Sequence, residues 1–203
     1  MSPIERCPRA AFVIAMLSMP AVARAHLTDT GLGPIYDGIA HLLLSFDDLA
    51  PVVALALLAG LNGARAGRIV LFILPLAWLA GGSAGVLAGS AALPPIVTSL
   101  SLLALGLLTA ASARLRPALV AVLATALGLM HGWLNGAGIA VAGREASGLF
   151  GIAGTIFVVV ALATALVVSL HRPWTRIAVR VAGSWLAAAG LLMLGWGLRG
   201  ALA

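Results

Sequence analysis

The sequence predicts an all-α fold, a polytopic membrane bundle of six transmembrane helices that follows an N-terminal signal peptide. Three observations carry this. The chain of 203 residues is 62% hydrophobic and 9% charged, with a mean hydropathy of +1.13, and a chain this short has too little interior to hide that much apolar surface in a soluble core. Six apolar stretches, roughly 34–61, 69–89, 95–113, 117–142, 148–170 and 175–198, are each long enough to cross a hydrocarbon layer about 30 Å thick. The breaks between them, "NGARAGR", "SAALPP", "RLRP", "GREASG" and "HRPWTR", alternate in charge.

The first 25 residues read as a secretory signal. Arg6 and Arg9 supply the positive start, Ala10 to Met19 is an apolar run too short to span, and Ala23-Arg24-Ala25 after Pro20 is an A-x-A cleavage pattern. The expected organisation is therefore a signal peptide at 1–25 and one six-helix domain at 26–203; an uncleaved segment would instead add a seventh helix. Cleavage after Ala25 would make His26 the new terminus, whose α-amine and imidazole together can chelate Cu²⁺ or Ni²⁺.

The net charge of +6 does not point to nucleic acid. All twelve basic residues are arginines, scattered singly or in pairs with no basic face. They act as topology signals. Arg65 and Arg68, Arg114 and Arg116, and Arg172 and Arg176 fall on one side, against Arg144, balanced by Glu145, and Arg199 on the other. The positive-inside rule makes the first side cytoplasmic and puts both ends of the mature chain outside, as a cleaved signal requires. Cys7 is the one cysteine, so the spans hold neither disulfides nor a thiolate site.

Glycines recur four apart at Gly81, Gly85 and Gly89 and at Gly128, Gly132 and Gly136. Such stripes let helix backbones approach closely in lipid, either within the bundle or between copies in a homo-oligomer. Trp174 and Trp196, near opposite ends of the last helix, suit the interfacial belts.

Ionisable groups inside the spans are the candidate functional residues, because a charge at mid-bilayer costs at least about 2.5 kcal/mol and turns toward a cavity or a partner. On one continuous first helix, a rise of about 1.5 Å per residue puts Asp37 near the outer surface, His41 about 10 Å in, and Asp47 and Asp48 about 20 Å in. Asp37, His41 and Asp48 would then form one column, with Asp47 pointing aside. By the same count His131 lies about 9 Å below the outer face, level with His41, and Asn135 one turn beyond reaches the level of Asp37. Imidazoles and carboxylates from separate helices are ligand types that borderline divalent metals favour. Each group alone has a plainer reading: His131 hydrogen-bonded to a neighbouring helix, Asp47 or Asp48 capping or paired with a Ser or Thr, or, if the first helix ends early, both Asp in an inner polar vestibule. His171, beside Arg172, reads as a loop residue.

The stretch "AHLTDTGLGPIYDGIAHLLLSFDDLAPVVALALLAG" after a signal peptide resembles the start of the HupE/UreJ family, small six-helix membrane proteins associated with nickel or cobalt supply to hydrogenase and urease. His41 and Asp47 match the family's first-helix motif, His131-Gly132 matches its later "HG" segment with Gly136 in place, and His26 matches a histidine after cleavage. Asp48 and Asn135 stand where the family has further histidines, which makes the ligand set richer in oxygen. The resemblance, taken with the depth argument, leads to the expectation of a permease with passive or gradient-driven entry of nickel or cobalt. On that expectation His26 with Asp29 or Asp37 captures the ion, His41, His131 and Asn135 replace part of its water shell, and Asp47 and Asp48 lower the barrier at mid-membrane. The resemblance also implies a lipid bilayer and a divalent ion as partners, the ion as cargo and no tightly bound cofactor, in a bacterial inner membrane with the mature N-terminus periplasmic.

No G-x-x-x-x-G-K-[ST] motif is present to drive transport with ATP, and neither an H-E-x-x-H pair nor a G-x-S-x-G elbow marks a hydrolase. Two other classes stay open at this point. One is an accessory protein that holds metal without moving it. The other is an intramembrane hydrolase whose Ser and His come from distant helices.

Overall fold

The computed structural model describes residues 29–89, 96–170 and 172–202. The proposed signal, Cys7, His26 and His171 lie outside them. Among the described residues there are seven helices and no strand: α1 (Pro34–Leu44), α2 (Phe46–Leu61), α3 (Ala64–Ala88), α4 (Ile96–Ala110), α5 (Pro117–Val141), α6 (Gly148–Ser169) and α7 (Pro173–Leu202).

All six apolar stretches are helical, but they do not all become full spans. Four helices are long and apolar enough to cross a membrane: α3, α5, α6 and the Trp174–Arg199 part of α7. The pair α1 and α2 counts as a fifth span only when taken together. The helix α4, with 15 residues, reaches about 22 Å, short of a core about 30 Å thick.

The expectation of one continuous helix over 34–61 is corrected. The axes of α1 and α2 differ by 73°, and the break is at Ser45, whose extended backbone (φ −85°, ψ 99°) serves both helices. Its N–H donates to the His41 carbonyl at 2.9 Å, closing α1, while its carbonyl accepts from Asp48 N–H (3.2 Å) and Leu49 N–H (2.9 Å), opening α2. Asp47 and Asp48 thus occupy the first turn of α2, where unpaired backbone N–H groups and the helix dipole favour negative charge.

Helix α2 is the hub of the bundle and touches each of the other six. Ten of its 16 residues are buried, most of them Ala, Val and Leu. Around it, α3 lies along α5, and α4 along α7. The two glycine stripes face each other at the α3–α5 seam. A Cβ at Gly132 would overlap the Trp78 carbonyl, one at Gly136 the Gly82 carbonyl, and one at Gly81 the Leu129 carbonyl. Gly81, Gly85, Gly128, Gly132 and Gly136 are thus used within one chain, while Gly89, at the C-terminus of α3, meets nothing within 4 Å.

The Arg-rich breaks gather at one end. There Asn62 donates to the Ala113 carbonyl and accepts from Leu115 N–H (2.9 and 2.8 Å), and Arg176 donates to the Leu61 carbonyl at 3.3 Å. At the opposite end Arg144, read from sequence as balanced by Glu145, instead meets Asp37 at 3.1 Å and Asp29 at 3.7 Å.

Candidate functional site

The break at Ser45 builds the site. On an unbroken helix seven residues separate His41 from Asp48 by about 10 Å along the axis; the bend folds them together, with His41 Nε2 at 3.4 Å from Asp48 Oδ2. From α5, His131 Nδ1 lies 2.8 Å from Asp48 Oδ1, and Asn135 Nδ2 donates to Asp48 Oδ2 at 2.9 Å. One carboxylate therefore joins two imidazoles and an amide from three helices. All four side chains are buried, His131 completely.

A second ring of residues fixes their orientation. Trp78 of α3 stacks on the His131 ring (centroids 5.4 Å apart, planes at 29°) and its Nε1–H donates to Asn135 Oδ1 at 3.3 Å. Ser101 of α4 lies 3.2 Å from His131 Nε2, and Ser45 Oγ 3.3 Å from His41 Nδ1. Both nitrogens of each imidazole are thus engaged, and five of the seven helices contribute. Every buried side-chain nitrogen or oxygen among the described residues has a partner.

Asp48, His131 and Ser101 stand in the order of the acid, base and alcohol of a hydrolase. The Ser101 hydroxyl oxygen lies 2.7 Å from the Thr98 carbonyl and 3.2 Å from His131 Nε2, and its single proton serves one of them at a time. His131 is wholly buried at this position.

Of the residues singled out from sequence, His41, Asp48, His131 and Asn135 come together. Asp47 is half-buried and takes none of these contacts. Asp37 lies one turn above His41, where its Oδ1 accepts from the Thr30 N–H and hydroxyl (both 2.7 Å) and its Oδ2 meets Arg144. Asp29, Asp37, Arg144 and Glu145 line a cleft of about 300 Å³ at that end, with Gly38 on its wall. Trp78, Ser101 and Ser45 were not anticipated. An indole in the middle of an apolar span is a legible signal for Trp78, since its N–H must find an acceptor there.

Among the described residues no three His, Cys, Asp or Glu side chains surround a common ion position. The donors point at one another. Their separations of 2.8 and 3.4 Å are nonetheless close to the spacing of about 3.4 Å between neighbouring ligands on a tetrahedral ion with bonds of about 2.1 Å.

A bundle of apolar helices around a hydrogen-bonded His–Asp–His cluster defines a multi-pass membrane protein with a polar site in its interior. The family described as HupE / UreJ protein matches residues 14–193, and the chain belongs to the HupE/UreJ family, membrane proteins linked to nickel and cobalt supply and not known as enzymes. No curated protein and no solved structure shows significant similarity to the chain.

Proposed function

We propose that the chain is a permease for nickel or cobalt ions, admitting them from the cleft lined by Asp29 and Asp37 to the cluster of His41, Asp48, His131 and Asn135. The observation that carries this reading is Asp48, which gathers two imidazoles from separate helices inside an apolar bundle. Conduction needs binding firm enough to admit an ion and weak enough to release it. Donors already satisfied by one another meet that need, because any bound ion competes with the hydrogen bonds it displaced. A preformed cage of soft ligands would hold the ion instead.

The ion first meets Asp29 and Asp37, where Arg144 is the resident cation. His41 lies one turn deeper and is the more accessible imidazole, with 11% of its side chain exposed. Asp48 passes the ion to His131 and Asn135, while Asp47 adds negative charge in the same helical turn. In this reading residues 1–25 are a cleaved signal, His26 captures metal at the new terminus, α4 completes a sixth crossing, and the Arg-rich end is cytoplasmic. Support for the orientation comes from the gathering of the arginine-bearing breaks at one end of the bundle.

The test is metal flux into liposomes holding the purified protein, with nickel, cobalt, zinc and copper supplied in turn. Wild type is expected to move nickel or cobalt, and His41→Ala and His131→Ala to lose that flux. Equal flux in all three proteins would remove this site, and stoichiometric binding without flux would make the chain a metal-holding accessory protein.

A further inference from the structure

We infer that a cavity at the Arg-rich end, formed by Arg114, Arg176 and Arg180, binds the phosphate of an anionic phospholipid. The cavity measures about 700 Å³ and is completed by Leu61, Asn62, Ser112 and Ile177. Its three guanidinium groups come from two separate segments, the α4–α5 connection and the first turns of α7. Tertiary packing therefore assembles the cluster, and a run of charge in the sequence does not.

Two of the three are held in place by the protein. Arg176 donates through Nη2 to the Leu61 carbonyl (3.3 Å) and Arg180 through Nε to the Ala110 carbonyl (2.9 Å). Each spends one N–H on a helix C-terminus and keeps the rest of its fork for a ligand. Asn62, tied to both neighbouring segments, fixes the wall between them.

None of the three arginines has a carboxylate within ion-pair distance among the described residues. The described acids lie elsewhere: Asp29, Asp37 and Glu145 line the cleft at the opposite end, and Asp47 and Asp48 sit in the interior turn of α2. Three uncompensated guanidinium groups around one concavity call for an anion, and the planar fork matches phosphate oxygens.

The surroundings favour a phosphate carried by lipid over a free one. Ile177 lines the cavity and is 57% exposed, and Trp174, one turn earlier, is 62% exposed. An acyl chain can lie along these two while its headgroup enters the cavity, an arrangement in keeping with basic pockets between transmembrane helices at the membrane surface.

The test uses the full chain purified in detergent. Native mass spectrometry measures its occupancy by phosphatidylglycerol, by phosphatidylcholine of the same acyl chains, and by inorganic phosphate. We expect phosphatidylglycerol to be preferred over phosphatidylcholine. Replacing Arg114, Arg176 and Arg180 together with Gln is expected to cut phosphatidylglycerol occupancy about a hundredfold, at about fivefold per arginine. A control variant with Arg65→Gln, Arg68→Gln and Arg116→Gln removes the same charge from the same end outside the cavity, and should stay within about threefold of wild type.

Equal losses in the two triple variants, no preference for the anionic lipid, or displacement of lipid by millimolar phosphate would each overturn the inference. Should the cavity variant fail to fold, Arg114→Gln alone decides, because this side chain makes no hydrogen bond or ion pair within the described protein. A loss of about fivefold supports the site, and no loss overturns it. Metal transport plays no part in this readout.

Discussion

Asp48 and His131 stand 83 positions apart in the chain and meet at 2.8 Å in the centre of the bundle. Each is the principal partner of the other, so removing one strands its mate in an apolar interior. Asp48→Ala is expected to cost about 3–5 kcal/mol of stability, read as a lowered unfolding temperature in detergent. Asp48→Asn keeps the shape and some hydrogen bonds, so it should unfold closer to wild type while metal flux falls by about tenfold or more, as for loss of about 1.4 kcal/mol of ion stabilisation. If Asp48→Asn transports normally, the carboxylate is structural and not part of the path.

Arg144 pairs with Asp37 at 3.1 Å, and on the proposed path it would compete with an incoming cation for that carboxylate. The pair is partly exposed, with 30% and 14% of the two side chains accessible, and water screens pairs of that kind. Arg144→Gln should therefore leave stability almost unchanged and lower the metal concentration needed for half-maximal flux by up to about fivefold. The effect should shrink in high salt, where exposed charges are screened. A rise in that concentration would mean that Arg144 assists the ion.

Trp78 combines a ring stacked on His131 with an N–H on Asn135. Trp78→Phe retains a stacking ring and removes the donor, which should cost about 1 kcal/mol and leave transport measurable. Trp78→Ala opens a large void beside the cluster, at about 3–5 kcal/mol. Thermal unfolding of the two variants separates the donor from the ring; similar losses would show that the hydrogen bond dominates.

The α3–α5 seam makes a sharp contrast between two neighbouring glycines. A Cβ at Gly136 would overlap the Gly82 carbonyl, while one at Gly138 would meet nothing within 4 Å. Gly136→Ala should destabilise by about 1–3 kcal/mol through forced separation of the backbones. Gly138→Ala should be neutral or stabilising by up to about 1 kcal/mol, since it gains helix propensity. Equal unfolding temperatures would mean that the seam is looser than its geometry implies.

Much of the architecture was legible in the sequence because it follows from bulk properties. Apolar runs bounded by Arg, Gly and Pro become helices, and the charge asymmetry of the breaks reappears as one Arg-rich end. Among site residues, His131 and Asn135 were readable as one helical face, and the polar groups of the first stretch were readable as unusual at their depth. The bend was not foreseen, because the depth argument carried a single axis through 34–61. Two local signals mark it: Ser45-Phe46-Asp47-Asp48 has the S-x-x-D pattern of a helix start, and Pro51 follows within two turns. The partners Ser101 and Arg144 depend on which helices become neighbours, and that is set by packing at glycine seams far from either residue.

The two halves of the broken first span are held very differently. Helix α2 is gripped on all sides, whereas α1 rests mainly against α6 and joins α2 through the single extended residue Ser45. The contact with α6 is close, since a Cβ at Gly38 would overlap the Gly148 carbonyl and one at Gly151 the Ile35 carbonyl. The 11 residues of α1 therefore ride with α6, and any displacement of His41 from Asp48 has to carry that partner helix along.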